Sequence, residues 1–296
     1  MLKRTVCIEN PYYLKFKLNQ LILENRETGS TRSVPLEDLG FLMIDHPQVA
    51  VSQVLMRELA RAGVAVVFCD EKHHPSAMLQ SFDGNSIQTE RYRQQIAASE
   101  PIKKNLWKQT VEAKISNQAA LLAVHRKKSG YLLAFKKAVK SGDTSNQEAR
   151  AAQVYWKELF GPGFRRSREG LPPNNLLNYG YAVLRAAMAR AIVSSGLLPS
   201  FGIHHRSKYN AFCLADDLME PYRPFVDAAV YEWMHTRSDF HVMDTETKSH
   251  LLNILNHDVL FTRVKRPLGI GLSLTTASLA GCFAGKCKKI RYPSFC

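Results

Sequence analysis

The stretch FGIHHRSKYNAFCLADDLMEPYRP, residues 201–224, sets two histidines, three carboxylates and two arginines between apolar segments. Asp217 and Glu220 stand three apart, so on a helical turn both carboxylates share a face and reach one cation. Carboxylate oxygens suit Mg2+ and Mn2+, and a neutral imidazole beside them tilts the preference toward Mn2+. His205, twelve residues before Asp217, can supply that imidazole if a strand or loop returns it. A hard-metal site on a basic chain points to chemistry on phosphates. The simpler alternative is that Asp216 and Asp217 cap a helix and favour its positive end. The pair His204–His205 is by itself a weak signal, because adjacent side chains point apart and no HExxH is present. Pro221 and Pro224 leave two geometries open: a helix kinked there, or one beginning near Glu220 with the prolines in its first turn.

A third acid, Glu148 in SNQEARAAQVYWKELF, falls in the first turn of a helix that Ser145 or Asn146 would cap. Spacing alone gives it only the ordinary placement of an acid at a helix start. Basic residues are easier to place. Between 101 and 140 stand ten Lys and Arg (103, 104, 108, 114, 126–128, 136, 137, 140) against one acid, Glu112. Continued by Arg165, Arg166 and Arg168, this excess reads as a surface that tracks phosphates without reading base sequence. Tyr179, Tyr181, Tyr209 and Trp156 are candidates for stacking on bases, and each is equally a core filler.

These residues need a scaffold, and 296 residues suffice for one large domain or two modest ones. Residues 1–75 carry nine basic and nine acidic groups, so the net charge of +14 lies entirely in 76–296. No 18-residue apolar run is present, and the start MLKRTVCIENPYYL lacks an h-region and a cleavage site. A cytoplasmic protein with no membrane partner is the expectation. The six cysteines (7, 69, 213, 282, 287, 296) are scattered, and Cys282 and Cys287 lack a second pair to complete a zinc site. Free thiols are expected throughout. Strands are predicted over 5–8, 13–18, 20–24, 33–36, 40–44, 49–51 and 64–69, with Asn19 at a tight turn and a helix over 52–62. The turn-rich stretch 76–90 reads as a linker. Beyond it helices are predicted near 90–99, 101–124, 130–140, 146–160, 174–195, 224–235, 246–256 and 267–279, with a basic loop over 161–173. The fold class is α+β: a small β-rich domain over 1–75, then a larger all-α domain over 91–296.

Over essentially its whole length the chain resembles the CRISPR-associated protein one family, the integrase-nuclease of spacer acquisition, in its type II form. The blocks that carry the resemblance are VPLEDLGFLMIDHPQV (34–49), VAVVFCDEKHHPS (64–76) and NQEARAAQVYWKELFG (146–161), then LNYGYAVLRAAMARAIVSSGLLPSFGIHH (177–205) and NAFCLADDLMEPYRP (210–224). The resemblance implies that Glu148, His205 and Glu220 hold Mg2+ or Mn2+ and carry catalysis, with Asp217 in support and His204 and Asp216 as local structure. It implies a homodimer made through the β-rich domain, two such dimers flanking a dimer of the small CRISPR-associated protein two. The expected substrates are double-stranded DNA, a pre-spacer and the repeat array, joined by attack of a 3′-hydroxyl on a phosphodiester. Two alternatives stand beside this reading: a non-catalytic DNA-binding scaffold, and a repair nuclease for branched DNA. The C-terminal tail GKCKKIRYPSFC receives no role.

Overall fold

A computed structural model describes residues 4–71, 73, 75–81, 84–169 and 171–295. Lys72, His74, Asp83 and Cys296, which belong to stretches singled out above, lie outside the described residues. The chain divides into two compact units, Met1–Gly84 and Asn85–Cys296. The first holds β1 (Arg4–Ile8), β2 (Tyr12–Lys17), β3 (Gln20–Asn25), β4 (Thr31–Pro35), β5 (Leu39–Ile44), β6 (Ala50–Val51), α1 (Gln53–Arg61), β7 (Ala65–Cys69) and β8 (Pro75–Leu79). One sheet has the order β4-β3-β2-β6 and the other β1-β5-β7-β8.

The β2–β3 hairpin pairs Lys17 with Gln20, leaving Leu18 and Asn19 as its turn, with φ of +50° and +56°. A two-residue hairpin turn that matches strand twist needs positive φ at both positions. Leu18, expected at the end of a strand, is therefore in the turn and 83% exposed. In β3, Leu21, Leu23 and Asn25 point inward while their neighbours are half-buried, the period of a sheet with one covered face. β5 lies between β1 and β7, parallel to both, and is buried along nearly its whole length. That position explains the unbroken apolar run LGFLMI. Ser52 Oγ accepts from Leu55 N at 3.3 Å to cap α1, whose Leu55 and Leu59 join Leu14, Leu21, Leu39, Leu42 and Val66 in one core. Within the stretch 76–90, β8 pairs antiparallel with β7, whose open edge offers it a partner.

The second unit is built from α2 (Gln88–Ala97), α3 (Glu100–Val124), α4 (Gly130–Ala138), α5 (Gln147–Phe160), α6 (Asn174–Ser194), α7 (Cys213–Met219), α8 (Arg223–Thr236), α9 (Thr245–Leu252) and α10 (Leu268–Phe283). It departs from an all-α domain at one place, the hairpin β9 (Asp258–Phe261) and β10 (Val264–Pro267). That hairpin turns at Thr262 and Arg263, with Thr262 at φ +60°, so no Asn-Gly or Gly advertises it in the sequence. The two proline geometries left open at 221 and 224 resolve as a break: a 3-10 turn, Glu220–Tyr222, separates α7 from α8, and Pro224 sits in the first turn of α8. Among the described residues no helix is long and apolar enough to cross a membrane, and no disulfide forms.

Two features hold the helices in place. The long helix α3 packs on α4, α5, α7 and α8. The tail is clamped across it: Gln109 donates to Lys288 O and accepts from Ile290 N (both 2.9 Å), and Tyr292 and Thr110 share a hydroxyl hydrogen bond of 2.7 Å. Phe295 then stacks on Phe225 at 4.2 Å. Elsewhere α6 meets α8 at Gly180, where an added Cβ would lie 2.5 Å from Val226 Cγ1. Gly180→Ala gains about 1 kcal/mol of helix propensity. It also forces a stiff, β-branched neighbour aside, at a cost of about 2–3 kcal/mol. The expected net effect is destabilisation, read as a lower urea midpoint with an unchanged m-value.

Candidate active site

One face of α3 turns Trp107, Thr110, Val111, Lys114, Asn117 and Gln118 inward, at the three- and four-residue spacing of a buried helical stripe. Most of that stripe carries polar atoms, and those of Thr110, Lys114 and Asn117 find partners at the junction of several elements. The Lys114 ammonium, on a residue only 7% exposed, bridges two acids from distant parts of the chain. It contacts Glu148 Oε1 from the first turn of α5 and lies 2.5 Å from Glu220 Oε2 in the turn before α8. Arg223 Nε stands 3.0 Å from the other oxygen, Glu220 Oε1. Burial works against charge on both Glu220 and Lys114. For Glu220, Arg223 and then Lys114 outweigh it and hold the carboxyl below its ordinary range. For Lys114, Glu220 and Glu148 outweigh it and raise the ammonium above its ordinary value. Glu220 and Lys114 are therefore both charged. Asn117 completes the junction, donating to Pro221 O at 2.7 Å and to Pro293 O at 3.1 Å, so one amide holds both the acid-bearing turn and the tail.

Glu148 is placed by a residue the sequence reading passed over. Neither Ser145 nor Asn146 caps α5 through its side chain; Asn146 is left-handed, at φ +52°. Asp143 does the work, accepting from Gln147 N and Glu148 N at 2.9 Å each. An acid at a helix start is ordinary, but this one leaves Glu148 free to turn toward Lys114.

His205 is placed by Asp217. This aspartate is fully buried inside α7 and accepts four hydrogen bonds from the 203–205 loop. Three come from backbone: Ile203 N (2.7 Å), His204 N (2.9 Å) and His205 N (3.2 Å). The fourth comes from His205 Nδ1 at 2.6 Å. A carboxylate only accepts, so Nδ1 carries the proton and the Nε2 lone pair is the one available for a ligand or a proton. The hydrogen bond to Asp217 raises the imidazole above its ordinary value, against the opposing effect of burial. His204 takes another role, stacking flat on Trp107 at 4.1 Å, and burial lowers its pKa. Gly202 makes the loop tight enough: a Cβ there would lie 2.4 Å from His205 O and 2.7 Å from Asp217 Oδ2. Asp216 points elsewhere, to Arg185 Nε at 2.7 Å and Asn210 at 2.7 Å.

Behind the acids lies a second buried carboxylate. Tyr155 donates to Asp227 Oδ2 at 2.6 Å and Tyr181 to Oδ1 at 2.5 Å. Arg223 covers the Tyr181 ring at 4.6 Å and Arg166 at 5.2 Å, which ties this network to Glu220. Burial pushes Asp227 up to about 6, although both tyrosines and the two arginines oppose it.

The structure thus brings Glu148 and Glu220 to one cation, and Asp217 holds His205 within reach of the Glu220 charge. Two carboxylates there, Glu148 and Glu220, meet two cations, Lys114 and Arg223, while the third, Asp217, meets the His205 ring. Glu220 Oε2 is buried and makes no hydrogen bond, because Lys114 approaches it off the hydrogen-bond axis. Oxygen donors, one of them unsatisfied, with a ring nitrogen at hand suit Mg2+ or Mn2+. Among the described residues no group of three His, Cys, Asp or Glu side chains stands close enough together to hold a metal ion. Of the basic run over 101–140, Lys114 is not a surface residue, whereas Lys104, Arg126, Lys128, Lys137 and Lys140 are exposed. Arg165 and Arg168 are exposed too, while Arg166 is held by Asn174 (3.1 Å) and Asn178 (2.7 Å). Among the aromatic candidates Tyr179 and Tyr181 are core, Trp156 packs on Tyr155, Phe160 and Phe164, and Tyr209 is 87% exposed.

Comparison with known proteins adds an independent line. The family model for CRISPR associated protein Cas1 matches residues 6–257. The CRISPR-associated endonuclease Cas1 of Neisseria meningitidis serogroup C (strain 8013) is 35% identical over 269 residues, 88% of this chain and 85% of that protein. Among solved structures, a casposase bound to integration product superposes with a TM-score of 0.80 at 20% identity, covering 98% of this chain and 92% of that one. A chain of a Cas6-RT-Cas1–Cas2 complex gives 0.75 at 18% identity, covering 97% of this chain and 35% of that one.

Two outcomes test the geometry. Asp217→Asn replaces one accepting oxygen by a donor facing other donors, and should cost about 3 kcal/mol by urea denaturation. The same change should release the His205 tautomer, visible in ring 15N shifts. For Asp227, the native state holds a proton between about pH 4 and 6 that the unfolded chain has lost. Its contribution to stability is therefore complete below pH 4 and falls as pH rises through about 6. Asp227→Asn should remove that slope, up to about 1.4 kcal/mol per pH unit, in paired denaturation curves across the window.

Proposed function

The chain belongs to the Cas1 family of CRISPR-associated proteins, and from that premise we propose that it is a divalent-metal-dependent DNA endonuclease and integrase of CRISPR adaptation. It would insert short foreign duplexes into the repeat array. It would work in the cytoplasm as a homodimer, in complex with a dimer of Cas2, on pre-spacer and repeat DNA. The observation that carries the reading is the convergence of Glu148 and Glu220 on a single cation position beside an imidazole oriented by Asp217.

Glu148, Glu220 and His205 Nε2 are the groups that would hold Mg2+ or Mn2+. When bound, such an ion would polarise the scissile phosphate and neutralise charge developing on its oxygens. The chain's own residues prepare for this. Arg223 and Lys114 keep Glu220 ionised although it is buried. Asp143 fixes the first turn of α5 and with it Glu148. Asp217 holds His205 in one tautomer and one orientation. In the reaction the 3′-hydroxyl oxygen of incoming DNA forms a bond to repeat phosphorus as the bond to the leaving 3′-oxygen breaks. The attacking hydroxyl gives up its proton and the leaving oxygen takes one up, so the number of phosphodiester bonds is conserved. With water as nucleophile the same exchange is hydrolysis.

A scaffold that only bound DNA would gain nothing from burying Glu220 and Lys114 as ions, since each buried ion costs several kcal/mol of desolvation. That cost is a reason to favour catalysis. The test supplies duplex DNA with 3′-hydroxyl ends, a plasmid carrying the repeat, Mn2+ or Mg2+, and the Cas2 partner. Glu220→Ala and His205→Ala should each cut covalently joined product at least about 100-fold. DNA binding, followed by gel shift, should stay near wild type. Joining at the wild-type rate in either variant would overturn the proposed site.

A further inference from the structure

Lys114 occupies the one position that both acids address, and it does so with a group unlike any other there. Arg223 lies over the Tyr181 ring at 4.6 Å and 3.0 Å from Glu220 Oε1, where its Nε makes no hydrogen bond. The Lys114 ammonium is a compact charge at the end of a flexible four-carbon stem, tied at Nζ to Glu148 and Glu220. Its hold on Glu220 Oε2 lacks hydrogen-bond alignment. The Glu148 and His205 side chains are 27% and 46% exposed, so the pocket opens on that side and a displaced ammonium has water to move into.

We propose that Lys114 is a built-in placeholder cation: it neutralises Glu148 and Glu220 while no divalent ion is bound, and it must leave their shared oxygens for one to enter. This rests on the reading that these acids hold a metal. The physical argument is competition for the same lone pairs. A buried Glu220 and a half-buried Glu148 turned toward each other without a cation repel, and Glu220 is poorly solvated, so the metal-free fold needs the ammonium. A divalent ion held by Glu148 and Glu220 would draw on the same carboxylates that the ammonium now contacts. The lysine therefore stabilises the empty protein and weakens metal binding at once. It acts through the acids, as a positioning residue.

The experiment uses the full chain, freed of metal with chelator, with Mn2+ alone as the probe. Lys114→Met and Lys114→Gln are compared with wild type by thermal denaturation in chelator and by calorimetric titration. In chelator both variants should melt several degrees below wild type, and Mn2+ should raise their melting temperature more than it raises that of wild type. Each variant should bind Mn2+ about tenfold or more tightly than wild type, and adding Glu148→Gln should abolish the gain, which places the ion at this site. If the methionine variant folds only with Mn2+ present, that also supports the proposal, and the glutamine variant supplies the affinity. Wild-type or weaker Mn2+ affinity in the glutamine variant, with binding to wild type intact, overturns the placeholder and leaves the metal reading standing. Absence of Mn2+ binding to wild type and variants alike overturns both.

Discussion

Two carboxylates cannot be brought face to face out of water unless something positive stands between them. Here that something is supplied by the chain, and the rest of the helical unit follows from the need to deliver it. Lys114 rides on α3, which packs on α4, α5, α7 and α8, so one rigid element can offer a charge to acids from two others. The dry setting makes the pairing mandatory. A buried ion pair adds little net stability against an apolar alternative, but removing one partner strands the other at a cost of about 3–5 kcal/mol. A protein that keeps such an arrangement has a use for the acids beyond folding.

The stretch 201–224 divides its polar residues by task. Its first carboxylate, Asp216, is spent on Arg185 and Asn210. The second, Asp217, is fully buried and accepts from three consecutive backbone amides and a ring nitrogen, which converts a flexible loop into a fixed mount for His205. The third, Glu220, lies past the end of α7, where Pro221 interrupts the regular helix and the chain turns. The backbone stays helical through Met219 and Glu220, so the two acids stand one turn apart, and their partners separate their tasks: Asp217 holds the 203–205 loop and Glu220 meets Lys114 and Arg223. His204 shows the same economy, for its ring lies on Trp107 from α3 and so ties the loop to the helix that carries Lys114.

Most of the β-rich unit was legible, its half-covered strands by alternation and its central strand by an unbroken apolar run. What composition did not announce are turns made by residues with no turn signature, Leu18 in this unit and Thr262 in the helical one, where pairing on both sides imposes a positive φ. Helix positions were legible for the same reason of periodicity. The site was legible unevenly. The residues themselves offered Asp217, Glu220 and His205, resemblance added Glu148 and set His205 above His204, and neither pointed to Lys114 or Asp143. Lys114 sits in a run of basic residues that reads as a wetted surface. Only its register with Trp107, Val111 and Gln118 marks it as inward-facing. Its partner Glu148 lies 34 residues away, and pairing at that distance leaves no local pattern. Asp143 was hidden because Ser145 and Asn146, both good capping residues, stand nearer the helix start.

Charge distribution gives the last step. The net excess of +14 lies in the helical part of the chain, yet several of its cations are consumed internally. Lys114, Arg223, Arg185 and Arg166 each answer to acids, amides or rings within the fold. The exposed remainder, including Lys104, Lys128, Lys137, Arg165 and Arg168, provides a positive field of the kind that draws a polyanion in and holds it without regard to sequence. At the acids the charges are answered locally: Glu148 and Glu220 meet Lys114 and Arg223, and Asp217 meets the His205 ring. Carboxylates set within a positive field suit a chemistry in which a polyanion and the cation that activates it are brought together.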